Sequence, residues 1–196
     1  MKKRPVPKNS EVRAYVFIKK ELGDLGWDVR NPARQPTGQV YTQNECLADP
    51  EIKRCLGLER PENIIKVDEA TFYVIEAKPE HSQLARAVQE AQDYADKINS
   101  GSVLAKALFI SGVAGNDEDG YWVETRFLKS GRFVPIIMNG QRMTSLLSPA
   151  VAKDVLDNGP SVPDFQIDEP LFLAAAETIN EILHLGAINK NSRARV

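Results

Sequence analysis

The sequence is poor in the residues that build disulfide scaffolds and zinc sites. Its 196 residues include two cysteines, Cys46 and Cys55, and two histidines, His81 and His184. So few cysteines favour a reducing compartment over a disulfide framework. The spacing of the cysteines and their distance in sequence from the histidines argue against a zinc site. We therefore expect a cytoplasmic protein.

Long apolar runs and a strong net charge are also missing. No run approaches the roughly 20 apolar residues of a membrane span, and the opening MKKRPVPKNS lacks the apolar core of a signal peptide. The formal net charge is −2, so no global positive field draws the chain to nucleic acid or to an anionic membrane. We expect no membrane partner, whereas a local basic patch would still permit DNA binding.

The remaining composition is that of an ordinary globular domain, with 42% hydrophobic and 27% charged residues. Predicted helices cover residues 11–25 (capped by Ser10 and ended by Gly26), 50–56, 81–99 and 171–186. Predicted strands cover residues 27–29, the hairpin 62–78, 106–112, 121–127 and 132–138. The order helix, strands, helix, strands predicts an α/β fold with a central mixed β-sheet flanked by helices.

The pattern also predicts how the chain is divided. Residues 1–9 read as a flexible basic arm, 10–140 as the core domain, 141–170 as a proline-containing linker and 171–196 as a C-terminal helical segment. The last residues, 190–196, look like the start of a further element. We therefore expect the chain to be the front portion of a larger protein.

The hairpin PENIIKVDEATFYVIEAK raises a question about its carboxylates. Side chains alternate along a strand, so Glu76 and Lys78 share one face with Phe72 and Val74. A three-residue turn at 68–70 would place Glu62 opposite Glu76, where like charges destabilise a sheet. A two-residue loop would instead place Glu62 opposite Ile75.

Two opposed carboxylates require either a raised pKa on one of them or a cation between them. Mg²⁺ prefers oxygen ligands and commonly binds one or two carboxylates together with water and phosphate. Lys78 would then orient or deprotonate the attacking water and stabilise charge on a phosphate. This arrangement suits phosphodiester hydrolysis. The alternative is that Glu76 and Lys78 form a surface ion pair at the rim of the sheet.

The same residues resemble a known family. Pro61-Glu62, a fourteen-residue step and then Glu76-Ala77-Lys78 behind an apolar strand resemble the PD-(D/E)XK nuclease superfamily. The likeness is greatest to the nuclease domains of restriction enzymes, Type I motor subunits and fused methyltransferase–nuclease proteins. Three further stretches are similar to that group: the helix carrying Glu11 before Leu22–Trp27, the run Glu90-Ala91-Gln92-Asp93-Tyr94-Ala95, and the strand KALFISG.

The resemblance covers roughly residues 10–135 and implies a restriction-endonuclease-like fold. It implies a Mg²⁺ ion, with Mn²⁺ as a substitute, bound by Glu62, Glu76 and the carbonyl of Ala77. Lys78 would act on the attacking water. Glu11 would be a further acidic ligand, or else an exposed glutamate at a helix N-terminus. Glu90, Gln92 and Tyr94 would line the site or contact DNA, with a plain core aromatic as the alternative for Tyr94.

Two departures from the family pattern leave the function open. Glu62 stands where the family usually has Asp, and Glu90 stands where Gln is common. The first hypothesis is a Mg²⁺-dependent endonuclease domain of a restriction–modification system, which acts on double-stranded DNA. The second is a non-catalytic module that binds DNA or a partner subunit, and a third is a nuclease acting in DNA repair or on tRNA. The residues offered for phosphate contacts are Lys2, Lys3, Arg4, Lys8, Arg30, Arg34, Lys53, Arg54 and Arg60.

The C-terminal segment 171–196 resembles the helical start of an adenine methyltransferase region. A methyltransferase or specificity region, on the same or another chain, is therefore an expected partner. The sequence itself contains no glycine motif for S-adenosylmethionine and no NPPY-type tetrapeptide.

Overall fold

Six strands form one mixed β-sheet. A computed structural model describes the backbone of residues 9–162 and 177–178, and the side chains of residues 14–161 and 177–178. The sheet follows the chain order, β1 (Val40–Thr42), β2 (Asn63–Lys66), β3 (Thr71–Lys78), β4 (Lys106–Asn116), β5 (Gly120–Lys129) and β6 (Arg132–Pro135). Neighbouring strands are antiparallel except β3 and β4. This parallel pair needs a crossover, which is the helix α3 (Leu84–Gly101).

Helices cover both faces of this sheet. On one face, α1 (Asn9–Asp24) and α4 (Pro149–Asn158) share a buried cluster with Tyr73 and Ile75. On the other face, α2 (Pro50–Leu56) and α3 pack in a second cluster with Phe72 and Val74. The predicted α/β class, with a central mixed sheet flanked by helices, is therefore confirmed. Three short strands, β7 (Ile137–Met138), β8 (Gln141–Arg142) and β9 (Ser161–Val162), form a small second sheet.

The hairpin of β2 and β3 has the register predicted for a three-residue turn. Ile64 pairs with Val74, Lys66 pairs with Phe72, and the Val67 N–H donates to the Thr71 carbonyl at 2.9 Å. Because successive side chains alternate, Val74 faces α3 and Tyr73 faces α1. Glu76 and Lys78 therefore point to the side of the sheet on which α3 lies.

Gly112 of β4 lets α3 approach the sheet next to Glu76, its partner in the β3–β4 ladder. A Cβ at Gly112 would lie 2.5 Å from the Val88 backbone nitrogen. We expect Gly112→Ala to lower the free energy of unfolding by about 1–3 kcal/mol, the usual cost of overpacking, as measured by urea denaturation. In the control Gly23→Ala, the new Cβ would meet nothing closer than Val29 at 3.7 Å. Because alanine favours helix over glycine, the control should be neutral or stabilising by up to about 1 kcal/mol.

Several predicted details near the N-terminus are wrong. Helix α1 begins at Asn9, so Ser10 lies inside the helix and does not cap it. Gly26 does close the helix, with φ of +99° and the Trp27 N–H donating to the Leu22 carbonyl. Residues 27–29 form no strand, and the Trp27 indole instead donates to the Leu147 carbonyl at 2.6 Å.

The predicted linker over 141–170 is wrong for residues 149–158, which form α4. Ala152 and Val155 of this helix are fully buried in the first core cluster. The chain leading to α4 is held by the Thr125 hydroxyl, which donates to the Ser145 carbonyl at 2.8 Å. Asn158 ends α4, and the compact unit that includes it reaches Val162 rather than residue 140. Likewise, the predicted strand 132–138 is divided between β6 and β7.

Some predictions lie outside the described residues. They are the basic arm with its lysines and arginine at positions 2, 3, 4 and 8, the linker from residue 163, and the C-terminal segment apart from 177 and 178, which are helical. Among the helices that the structure describes, none is long and apolar enough to cross a membrane.

Candidate active site

The two glutamates singled out in the sequence come together at the end of β3 through a backbone contact. Glu62 directly precedes β2, and its backbone N–H donates to Glu76 Oε2 at 3.2 Å. Both glutamates are buried, with 6% and 8% of their surface exposed. Glu62 Oε2 also accepts a hydrogen bond of 2.7 Å from Gln43 Nε2. The hairpin thus places two buried glutamates at one end of β3, joined through the Glu62 backbone N–H, in an environment that penalises charge.

Lys78 lies between two carboxylates that come from different elements. Its Nζ lies 3.1 Å from Glu76 Oε1, on its own strand, and 2.5 Å from Glu90 Oε2, on α3. Glu90 Oε1 in turn accepts from Arg86 Nε at 2.8 Å. The result is a continuous row of alternating charges, Glu76, Lys78, Glu90 and Arg86, that joins the strand to the helix.

Burial and charge act in opposite directions on these groups. Burial raises the pKa of Glu76, and the charge of Lys78 offsets this only in part, so the net shift is upward. Burial lowers the pKa of Lys78, but its hydrogen bond to Glu90 and the charge of Glu76 outweigh that effect and raise it. For Glu90, burial raises the pKa, whereas the hydrogen bonds from Lys78 and Arg86 bring it below its usual value. Lys78 is therefore a cation at neutral pH.

The other residues of α3 differ in how they relate to this row. Tyr94 lies one turn beyond Glu90 and packs partly against the second core cluster. Burial, followed by the charges of Glu76 and other acidic groups, raises the pKa of Tyr94 to about 12. Tyr94 is therefore both a partly buried core aromatic and a protonated hydroxyl close to the carboxylates. Gln92 is two residues from Glu90 and thus faces another side of the helix. The structure does not bring Gln92 into the row.

The donor set fits a hard cation, although it is incomplete in the described part of the chain. Carboxylate oxygens such as those of Glu62 and Glu76 are the ligands that Mg²⁺ uses, commonly one or two of them with water and phosphate. Within residues 14–161, no three side chains of His, Cys, Asp or Glu stand together as a metal cluster. The side chain of Glu11 is not among those described. The side chain of Ala77 packs against the first core cluster. Its backbone carbonyl is the group that the resemblance implies as a ligand.

Two partners of the site were not found from the sequence. Gln43 lies in the irregular stretch 31–60, whose length without periodicity was the available signal for a functional loop. Arg86 stands four residues before Glu90, a spacing typical of an ion pair on a helix. The candidate phosphate-binding residue Arg60 contacts Asn44, and Arg54 contacts Glu51 and the Gly101 carbonyl. Arg30 contacts Asp28 and Thr37.

The fold and site define the class of protein: an α/β protein with a row of acidic and basic side chains that runs from a buried glutamate, Glu76, to an exposed arginine, Arg86, at the end of a central strand. No family model, curated protein or solved structure matches the chain. Its function is therefore inferred from its own residues.

Proposed function

We propose that the chain is a metal-dependent DNA endonuclease domain of a restriction–modification system, with a restriction-endonuclease-like fold. The observation that carries this proposal is the placement of Glu62, Glu76 and Lys78 at one end of β3. Two buried carboxylates and a lysine held as a cation form the set of groups that phosphodiester hydrolysis requires. The restriction–modification context and the methyltransferase partner depend on the resemblance in sequence.

In this proposal each residue has a separate role. Glu62 and Glu76 hold the Mg²⁺ ion, which supplies positive charge against the phosphodiester when it is bound. Lys78 remains protonated and donates hydrogen bonds to the attacking water or to a phosphate oxygen. Its ion pair with Glu90 fixes the direction of the ammonium group. The burial of Glu76 excludes bulk water and so strengthens each of these interactions.

The order of elements also supports the proposal. The resemblance implies a helix, a hairpin carrying the motif, a second helix and then an apolar strand. The chain has α1, the β2–β3 hairpin, α3 and β4 in that order, and β4 lies beside β3 in parallel.

A second candidate is a non-catalytic module that binds DNA or a partner subunit. One observation favours it: Lys78 forms ion pairs with both Glu76 and Glu90. A closed set of side-chain pairs of this kind would suit a domain that has kept the nuclease arrangement without the reaction. The two candidates differ in whether the site binds a divalent cation.

Calorimetry with Mg²⁺ and Mn²⁺ tests the proposed site. We expect the wild type to bind either ion, and Glu62→Ala and Glu76→Ala each to remove the binding, because each variant removes one of two charged ligands. Glu118→Ala is the matched control, since Glu118 is an exposed glutamate in the β4–β5 turn, and it should bind as the wild type does. Wild type that binds neither ion, or binding that survives both site changes, would refute the metal site and leave the non-catalytic module.

A further inference from the structure

Trp122 is an exposed tryptophan at the same end of the sheet as the candidate active site. It is 57% exposed, whereas the other tryptophan, Trp27, is 4% exposed. Among the residues whose side chains the structure describes, Trp122 is the one aromatic in the group of exposed large apolar side chains. Exposing an indole forgoes the large gain of burying it. An exposed indole held in a defined geometry is therefore a feature that a binding partner would explain.

His81 holds Trp122 in such a geometry. The two rings stack with centroids 4.4 Å apart and planes 7° from parallel. His81 Nε2 is also 3.0 Å from the Gly120 carbonyl oxygen. Gly115 makes room for this arrangement, because a Cβ there would lie 2.7 Å from His81 Nε2. We call the stacked pair His81–Trp122 the aromatic platform.

The platform is in register with the candidate active site. Lys78 pairs with Ala114 across the β3–β4 ladder, and Ala114 pairs with Trp122 across the β4–β5 ladder. Directly paired residues point to the same face of a sheet, so Lys78 and Trp122 both lie on the face covered by α3. Two strand spacings separate them, which is about 10 Å. This distance corresponds to about three nucleotide rises of 3.4 Å.

A cavity of about 400 Å³ opens beside Trp122. It forms because β6 pairs only with residues 126–129 of β5, so the first half of β5 has a ladder partner on the β4 side alone in the described part of the chain. The cavity is lined by Leu84, Tyr121, Trp122, Val123 and Thr144. The Tyr121 ring is itself fixed by stacking on Phe17, with centroids 4.0 Å apart. Tyr121 and Val123 belong to the core cluster on the α1 face, so Leu84 and Trp122 bound the cavity on the α3 face.

The charge around the platform selects which part of a nucleotide would contact it. Asp117 and Asp119 stand in the adjoining turn, where Asp117 accepts from the Tyr121 hydroxyl and Asp119 accepts from Asn116. These carboxylates repel phosphate, so the backbone of a nucleic acid would avoid the turn. A base is uncharged, and each base has a flat face that stacks on an aromatic ring.

We propose that the aromatic platform binds one unpaired nucleobase of the substrate strand, next to the candidate active site. The proposal deepens the proposed nuclease function and rests on it. The substrate class it names is DNA with an unpaired nucleotide near the scissile phosphate: a single strand, a junction, or a base turned out of a duplex. Because stacking tolerates every base, the platform contributes affinity and position rather than sequence specificity.

Tryptophan fluorescence tests this proposal in the whole chain, in EDTA so that no cleavage occurs. The probe is a single-stranded oligothymidine of about 12 nucleotides, within the site sizes known for single-strand binders. We expect it to quench the fluorescence of the wild type, and Trp122→Phe to lose that quenching while Trp27 still emits. Trp122→Ala should bind the oligonucleotide roughly 5- to 100-fold more weakly, with Trp122→Phe between the two.

Two controls make the outcome decisive. An abasic oligonucleotide of the same length carries the same phosphates and should neither quench nor bind with comparable affinity. Leu104→Ala, which removes another exposed apolar side chain (70% exposed), should bind like the wild type. Equal binding by Trp122→Ala and the wild type, or equal binding of the abasic strand, would overturn the proposal.

The fluorescence titration in EDTA, set beside calorimetry with Mg²⁺ without EDTA, separates this proposal from the metal site. Glu76→Gln should lose metal binding yet retain the quenching by oligothymidine, because Glu76 does not contact the aromatic platform. Metal binding without quenching would overturn the platform and leave the nuclease proposal intact. Quenching without metal binding would support the platform in a non-catalytic module.

Discussion

Replacing Lys78 by methionine is expected to slow the proposed DNA cleavage by roughly 100- to 1,000-fold, the cost of removing one preorganised donor from a transition state. The Lys78 ammonium lies 3.1 Å from Glu76 Oε1 and 2.5 Å from Glu90 Oε2. Burial lowers its pKa, but the hydrogen bond to Glu90 and the charge of Glu76 give a net rise. A lysine with a raised pKa is a poor base at neutral pH. Its contribution would therefore be a fixed positive charge near the phosphate, which methionine removes while keeping a similar length.

Lys66→Met is the matched control for this variant. Lys66 belongs to the same hairpin and pairs with a glutamate, Glu69, at 2.8 Å, but it ends β2, opposite Phe72, at the other end of the hairpin from Lys78. Single-turnover cleavage of a DNA substrate should be unchanged in this control, with Mg²⁺ or Mn²⁺ supplied. Equal rates for Lys78→Met and the wild type would contradict the role given to Lys78. A similar loss in both variants would point to general destabilisation instead.

The hairpin was predictable because its information is local. Alternation of apolar residues determined which side chains share a face, and it left two registers, one for a three-residue and one for a two-residue turn, of which the structure has the first. The whole hairpin, 62–78, is 17 residues long, so no distant contact had to be known. The adjacency of Glu62 and Glu76 follows from these two facts. The structure adds that the contact is made by the backbone N–H of Glu62.

The link between Lys78 and Glu90 was not predictable from spacing. It depends on how closely α3 approaches the sheet, and that distance is set by the missing side chain of Gly112, on a strand that follows α3 in sequence. The aromatic platform was also not predictable from spacing. His81 and Trp122 are 41 positions apart and meet only because β5 folds back along β4.

Helix α4 was missed because its proline was interpreted as a helix breaker. The pair Ser148–Pro149 is in fact a helix start, in which the serine side chain accepts from the Val151 N–H and proline occupies the first turn. Asp49–Pro50 begins α2 in the same way. The signal was present in the sequence, but proline has opposite meanings at the start and in the interior of a helix.

Glu76 and Glu90 should influence stability in opposite directions as pH changes. Burial gives Glu76 a pKa above its ordinary value of 4.5, so its favourable contribution is full below pH 4.5 and is lost as pH rises through the folded-state pKa. Burial also raises the pKa of Glu90, but its hydrogen bonds from Lys78 and Arg86 outweigh that and give a net decrease. Its contribution is therefore present above pH 4.5 and is lost as pH falls through the folded-state pKa. Above its folded-state pKa the ionised Glu76 opposes folding, which is a pattern expected of a functional residue.

We therefore expect the stability of Glu76→Gln relative to the wild type to depend on pH and on Mg²⁺. The amide removes the charge and keeps a similar shape, so the difference in unfolding free energy should move in favour of the variant as pH rises from about 4 to 7. Added Mg²⁺ should move it back toward the wild type, by about 2.7 kcal/mol at 100 times the dissociation constant, because a ligand stabilises only the form that binds it. Urea denaturation at both pH values, with and without Mg²⁺, measures both shifts.

Glu69→Gln provides the comparison that isolates the site. Glu69 lies in the turn of the same hairpin, and its side chain is 92% exposed. The stability of Glu69→Gln relative to the wild type should therefore be the same with and without Mg²⁺. If Glu76→Gln gained as much from Mg²⁺ as the wild type did, the ion would have to bind elsewhere. A wild-type unfolding midpoint indifferent to Mg²⁺ would mean that no metal binds the folded chain. In either case the raised pKa of Glu76 would reflect the burial of an ion pair, and the non-catalytic module would become the better account of the site: a strand, a helix and the lysine that joins them.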